Sequence, residues 1–173
     1  ATYLTNDLVD MEGDRQHPRK RLRPLASGRL KQWQALVAVV LLLAIALPLS
    51  FWIHFWLGVI AAGYFVLMVA YSLELKHMVI IDVLTIALGF VLRAVAGAVA
   101  IAVPISPWLY ICTLLGALFL GFAKRRQEIV LLNENASQHR HILTEYSPKL
   151  LDEMISVVTP ALLVTYGFYT FSA

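Results

Sequence analysis

Charge is scarce in this chain of 173 residues: only 14% are Asp, Glu, Lys or Arg, while 60% are hydrophobic. Ordinary soluble domains run at about 25% charged and roughly 45–50% apolar, so that class is excluded. The same shortage of charge excludes intrinsic disorder, which needs low hydrophobicity and high charge. The single cysteine, Cys112, cannot close an internal disulfide, and this removes the disulfide-stapled secreted scaffolds. The glycines follow no period, which removes collagen-like sequence. They form no Gly-rich phosphate loop or nucleophile elbow either. What remains is an integral membrane protein.

The few charges are segregated. Residues 32–73 contain no Asp, Glu, Lys or Arg, and between Met78 and Ala123 only Asp82 and Arg93 are charged. Residues 15–31 instead hold Arg15, Arg19, Lys20, Arg21, Arg23, Arg29 and Lys31 with no acid among them. Such a block suits either nucleic acid or the cytoplasmic rim of a membrane. In a chain this apolar the membrane rim is the expectation, and no nucleic-acid partner is expected.

A helix needs about 20 apolar residues to cross a bilayer. Uncharged runs place spans at roughly 33–50, 52–73, 79–102, 107–123 and 151–173. Pro48 and Ser50 are expected to divide the first two, and Pro104, Ser106 and Pro107 the third from the fourth. Trp33, Trp52, Trp56 and Trp108 fall near span ends, where indole favours the interface. The loops at 11–32, 74–77 and 124–149 are basic, whereas the turns at 50–52 and 103–107 are uncharged. Alternation then puts every basic loop on one side, the cytoplasmic one. An all-α polytopic bundle in the plasma (inner) membrane follows, its active site facing the cytoplasm. The chain starts at Ala1 within a polar motif and stops at Ala173 in an apolar run. We therefore expect one transmembrane domain over residues 1–173, taken from a longer protein.

The richest segment is Asn6-Asp7-Leu8-Val9-Asp10-Met11-Glu12-Gly13-Asp14. On one continuous helix Asn6, Asp10 and Asp14 stand at i, i+4 and i+8, with Asp7 one step around, so all four share a face. Clustered carboxylates repel unless a cation neutralises them, and hard oxygen donors of this number suit Mg²⁺ completed by substrate phosphate. The basic run downstream would then hold the remaining phosphate charge. A solvated helix end is the competing reading.

These residues carry a resemblance. Asn6-Asp7-x-x-Asp10-x-x-x-Asp14, followed by Arg23-Pro24 and Gly28, resembles the first signature of the UbiA superfamily of intramembrane prenyltransferases. Asp14-Arg15-x-His17-Pro18-x-Lys20-x-x-Arg23-Pro24 is similar to its polyprenyl-phosphate phosphoribosyltransferase (decaprenyl-phosphate phosphoribosyltransferase-like) branch. The likeness continues through Tyr71-Ser72-x-x-Leu75-Lys76-His77, Asp82, Gly89-Phe90-x-x-Arg93-Ala94-x-Ala96-Gly97 and Lys124-Arg125-x-x-Glu128. It implies a UbiA-like bundle of nine helices, of which about five are present, with helices missing at both ends.

The resemblance also implies a reaction. A Mg²⁺-dependent transferase would move 5-phosphoribosyl from phosphoribosyl diphosphate to a polyprenyl phosphate, releasing pyrophosphate, as a step in cell wall biosynthesis. Asn6, Asp7, Asp10 and Asp14 would hold the metal. Lys20, Arg23, Lys76, Arg93, Lys124 and Arg125 would bind substrate phosphates. Asp82 and Glu128 would be the catalytic carboxylates beside the oxocarbenium-like ribose carbon. Typical members carry a second Asp-rich motif where this chain reads Lys124-Arg125-Arg126-Gln127-Glu128 and then Asn133-Glu134-Asn135. Cations there suit the additional phosphate of the phosphoribosyl donor, which a prenyl diphosphate lacks.

Other candidates are weaker. Arg93 lies mid-span, where a charge is expensive and marks a cavity-facing site unless an acid such as Asp82 pairs with it. Asp82 stands eleven residues earlier, about 16 Å along the axis, so the two are expected to line one wet face without touching. His17, His54, His139 and His141 show no metal-ligand spacing, and Cys112 reads as inert packing. Two rivals stay open: a prenyltransferase transferring an isoprenoid to an aromatic or other lipid acceptor, and a transporter using these charges as an ion path.

Overall fold

The computed structural model describes residues 1–16, 20–132 and 146–171, and among these every regular element is helical. The readings placed on His17, Pro18, Asn133, Glu134, Asn135, His139 and His141 lie outside the described residues. The helices group into two compact units, Ala1–Glu74 and Leu75–Ala173.

The first unit contains α1 (Thr2–Val9), α2 (Met11–Gln16), a 3₁₀ turn at Lys20–Leu22, α3 (Gln32–Ile53) and α4 (Phe55–Leu73). Arg23 to Leu30 fold back through carbonyl bonds from Arg23, Pro24 and Leu25, with Gly28 at φ 78. That left-handed position is open to glycine without a Cβ penalty. α3 and α4 form a hairpin whose only non-helical residue is His54, extended at φ −160. The break therefore falls four residues beyond the Pro48–Ser50 position expected from the sequence. Pro48 is carried inside α3, as apolar helices allow, and the Ser50 hydroxyl donates to the Ala46 carbonyl at 2.7 Å. His54 stops the helix and caps the next one, its Nδ1 accepting from the Trp56 N–H at 3.2 Å.

The second unit contains a 3₁₀ turn at Leu75–His77, then α5 (Ile81–Ala100), α6 (Pro107–Leu132) and α7 (Pro148–Phe171). Pro107 opens α6, where its missing N–H is no loss, so the expected division at 104–107 is found. Ser147 opens α7 by accepting from the Leu150 N–H at 3.1 Å. α6 packs against both α5 and α7. Trp108 at its start stacks on Phe168 near the end of α7, and Arg126 near its end pairs with Asp152 near the start of α7. α6 and α7 are therefore antiparallel. The core is Val83, Ala87, Leu118, Phe122, Tyr146, Leu151 and Val158.

α6 also revises the sequence reading. It runs on past residue 123, so Lys124, Arg125, Arg126, Gln127 and Glu128 lie on a helix and not in a loop. Arg125 and Glu128 consequently share a face, at i and i+3.

Among the described residues five helices are long and apolar enough to cross a membrane: Gln32–Ile53, Phe55–Leu73, Ile81–Ala100, Pro107–Val130 and Pro148–Phe171. Their outward surfaces are apolar, with Ile45 and Leu120 among many large exposed side chains. In water so much exposed hydrocarbon would drive association, whereas in lipid it is the solvated face. Close approach is set by small residues. A Cβ on Gly121 would strike the Val83 side chain, so α5 and α6 touch there only because glycine is present. Gly121→Ala should destabilise the second unit by about 1–3 kcal/mol through overpacking. Adding Val83→Ala should restore most of the loss, as read by unfolding in mixed detergent.

Candidate functional site

The acidic segment is not one helix. Asp10 separates α1 from α2, although its N–H still bonds the Asn6 carbonyl and its carbonyl still accepts from the Asp14 N–H. The four side chains therefore divide into two pairs. Asn6 Nδ2 donates to Asp10 Oδ2 at 3.1 Å, and Asn6 Oδ1 lies 3.1 Å from Ser72 Oγ on α4. Asp7 and Asp14 are joined through Arg23, whose Nη1 reaches Asp7 Oδ1 and Asp14 Oδ2, each at 2.8 Å. Lys20 Nζ stands 3.8 Å from Asp14 Oδ1. Arg23 was expected to meet substrate phosphate; here it is the clamp of the acidic cluster.

Burial raises the Asp7 pKa above the usual carboxylate range; Arg23 lowers it in part, and the Asp14 and Asp10 charges raise it further. Asp14 is buried. Three carboxylates thus face two cations at the mouth of an apolar hairpin.

The second unit holds another charged cluster. Asp82, in the first turn of α5, has no exposed surface. Its Oδ2 accepts from Arg125 Nε at 3.0 Å and its Oδ1 from Tyr146 Oη at 2.6 Å. Arg125 is itself buried and gives Nη1 to Glu128 Oε2 at 2.8 Å. Tyr146 Oη accepts the Ile80 N–H at 2.6 Å. Ile80 sits at φ 68, where a β-branched side chain is strained, so this contact holds a costly turn at the head of α5.

This geometry bears on two of the expected roles. Asp82, expected as a catalytic carboxylate, has no exposed surface and both its oxygens are bonded within the protein. Arg125 was read as a phosphate ligand, but it is enclosed between two carboxylates. Glu128 keeps a partly exposed side chain, and Lys124 beside the cluster is exposed. Lys76 is buried in the turn before α5. Arg93 is exposed, its guanidinium 4.8 Å from the Phe90 ring centroid, while Asp82 is enclosed in the first turn of the same helix. The two do not line one wet face. Tyr146 was missed from sequence, because its partner is 64 residues away and a tyrosine before an apolar run is an ordinary interface residue.

A family model described as the UbiA prenyltransferase family matches residues 1–139. The chain belongs to that family. Within it, this UbiA-family chain is 35% identical over 172 residues to the decaprenyl-phosphate phosphoribosyltransferase of Mycolicibacterium smegmatis, covering 99% of this chain and 54% of the relative. The enzyme of the same name from Corynebacterium glutamicum is 35% identical over 173 residues, covering 99% and 52%. That from Mycobacterium tuberculosis is 31% identical over 171 residues, covering 99% and 57%. The UbiA-family chain thus spans about half the length of these relatives.

Among the described residues of this UbiA-family chain, no three His, Cys, Asp or Glu side chains converge into a closed metal cage. The donor chemistry at α1 and α2 nonetheless fits Mg²⁺. It offers hard carboxylate and amide oxygens, and Mg²⁺ commonly takes one or two carboxylates with water and substrate phosphate completing its shell.

Tyr146→Phe should leave the Ile80 N–H and one Asp82 oxygen unpaired inside the second unit. The expected loss is about 1–3 kcal/mol of stability at neutral pH. Burial raises the phenol pKa above its ordinary value, and its bond to Asp82 adds to this. The folded phenol therefore keeps its proton where the unfolded one, near pH 10, has begun to lose it. This stabilisation is complete below about pH 10 and falls as pH rises through the folded range. The gap between wild type and Tyr146→Phe in detergent unfolding should accordingly narrow above that pH.

Proposed function

We propose that this chain forms part of a membrane transferase that moves 5-phosphoribosyl from phosphoribosyl diphosphate to a polyprenyl phosphate. The observation that carries this reading is similarity along nearly the whole chain to three decaprenyl-phosphate phosphoribosyltransferases. The clustered carboxylates and cations at the helix ends support it.

In this reading both units belong to one transmembrane domain in the plasma (inner) membrane, open to the cytoplasm. A phosphate oxygen of the lipid forms a bond to C1 of the ribose, while the bond from C1 to the diphosphate oxygen breaks. Pyrophosphate leaves with the bonding electrons. Mg²⁺, held by Asn6, Asp7, Asp10 and Asp14, would neutralise charge gathering on that leaving group. Lys20 and Arg23 add positive charge beside those carboxylates, and Arg23 can exchange a carboxylate for a phosphate oxygen because its side chain is 38% exposed. Lys76, Arg93 and Lys124 supply cations for the remaining phosphates. Glu128 is the carboxylate for the cationic ribose carbon. Asp82 acts through Arg125, which fixes one oxygen of Glu128 and so orients the other.

The family's description as prenyltransferases favours one rival, transfer of an isoprenoid from its diphosphate. Purified protein in detergent, labelled polyprenyl phosphate and Mg²⁺ separate the two when each donor is offered alone. Product is expected with phosphoribosyl diphosphate; product with the prenyl diphosphate only would install the rival. Asp10→Ala or Asp14→Ala should lower turnover about 100-fold or more at saturating Mg²⁺. Near-normal rates in both would remove the metal role. Lys124→Gln should raise the donor KM more than the lipid KM, whereas an equal effect on both would assign Lys124 to neither substrate.

A further inference from the structure

The first unit also holds a cleft whose lining mixes cations with apolar side chains. It is a cleft of about 460 Å³ at the N-terminal end of α3. Its walls include the buried side chains of Met11 and Leu25, with Arg15, Lys31, Gln32 and Trp33 around them. Among the described residues no carboxylate lines it.

Its donors are poorly used. The Met11 thioether is the acceptor for Arg15 Nη2 at 3.8 Å and for Gln32 Nε2 at 3.2 Å. Sulfur is a weak acceptor, so a guanidinium and an amide aimed at it would both gain from an oxyanion in the cleft. Among the described residues neither Arg15 nor Lys31 has a carboxylate partner. The cleft also sits at the positive end of a helix of 22 residues. Two cations, an amide donor and a helix terminus therefore converge on a place where the described residues supply no anion.

The position indicates where the anion comes from. α3 is apolar enough to span a membrane, and Trp33 in its first turn is 60% exposed, as an interfacial indole would be. Just below it Leu36, Val37 and Val40 are exposed along the same helix. A phosphate in the cleft would therefore have hydrocarbon beneath it, the shape of a lipid rather than of a soluble ion. Among the described residues its lining contains no carboxylate, whereas the proposed reaction centre is built on Asp7, Asp10 and Asp14.

We propose that this cleft binds the phosphate headgroup of one anionic phospholipid, with the acyl chains lying along α3. Arg15 and Lys31 grip the phosphate, Gln32 donates to it, and Trp33 marks the headgroup level. Basic pockets beside membrane helices recognise lipid headgroups by this chemistry. The site would fasten the start of α3, which follows the Arg23–Leu30 turn, to the membrane surface.

Native mass spectrometry of the protein from vesicles of equal phosphatidylglycerol and phosphatidylcholine tests this. One phosphatidylglycerol should remain bound in clear preference to phosphatidylcholine. Arg15→Gln with Lys31→Gln should reduce that preference, by about fivefold per cation. Arg15→Lys with Lys31→Arg should keep most of it, which separates lost charge from lost folding. Arg21→Gln with Arg29→Gln, which removes equal charge from exposed positions outside the cleft, should leave it unchanged. Equal loss in that control would mean diffuse attraction to the surface and would overturn the site. So would an absence of preference in the wild type, displacement by millimolar inorganic phosphate, or retention of polyprenyl phosphate in place of phosphatidylglycerol.

Discussion

The enclosed carboxylate of Asp82 is the constraint around which the second unit is organised. A charge removed from water inside a helix bundle is tolerable only when paired and fully hydrogen-bonded. Its two oxygens are met by Arg125 from α6 and by Tyr146 from the segment entering α7. One carboxylate therefore ties three elements to a common level. Tyr146 extends the arrangement by taking the Ile80 N–H, which lets the chain enter α5 through a strained left-handed residue. Arg125 extends it in the other direction, to Glu128. Breaking a buried pair of this kind typically costs 3–5 kcal/mol, because the partner left behind is an uncompensated charge.

The first unit uses the same chemistry to a different end. Arg23 also bridges two carboxylates, but its side chain is 38% exposed and that of Asp7 is 27% exposed, against 4% and 0% for Arg125 and Asp82. Exposed pairs contribute about 0–1 kcal/mol and exchange partners readily. The Arg23 clamp thus has one partly exposed arm, to Asp7, and one buried arm, to Asp14, whereas the Arg125 clamp is enclosed on its Asp82 side. Exposure, rather than residue type, separates the two clamps. It also explains why Asp82 and Glu128, alike as acids, receive different roles here.

Much of this was legible in the sequence. Uncharged runs located all five long helices, because in lipid an apolar side chain every way round the helix is the solvated state. The Asp-rich segment and its basic sequel marked the first cluster, and their spacing carried the family. Three things were not legible. Pro48 signals a break in water, yet α3 continues through it, and the turn falls at His54. Helix periodicity joined Asn6, Asp10 and Asp14 on one face, but the bend at Asp10 and the reach of Arg23 sorted the carboxylates into other pairs. Burial is a tertiary property, so nothing local distinguished Arg125 from Lys124 beside it, although one is enclosed and the other exposed.

In a bilayer the hydrophobic effect does not press helices together, because lipid tails solvate leucine as well as another helix does. Association must come from close backbone approach and from polar contacts, and in the second unit the two are adjacent, since Val83 follows Asp82 and Gly121 stands four residues before Arg125. Glycine contacts hold the apolar stretches, Gly58 against Phe51 in the first unit and Gly121 against Val83 in the second. Polar clamps hold the ends: Ser72 near Asn6 where α4 finishes, and Arg126 with Asp152 where α6 meets α7. Water is available at those ends to solvate whatever a clamp leaves over, so charge is cheapest there.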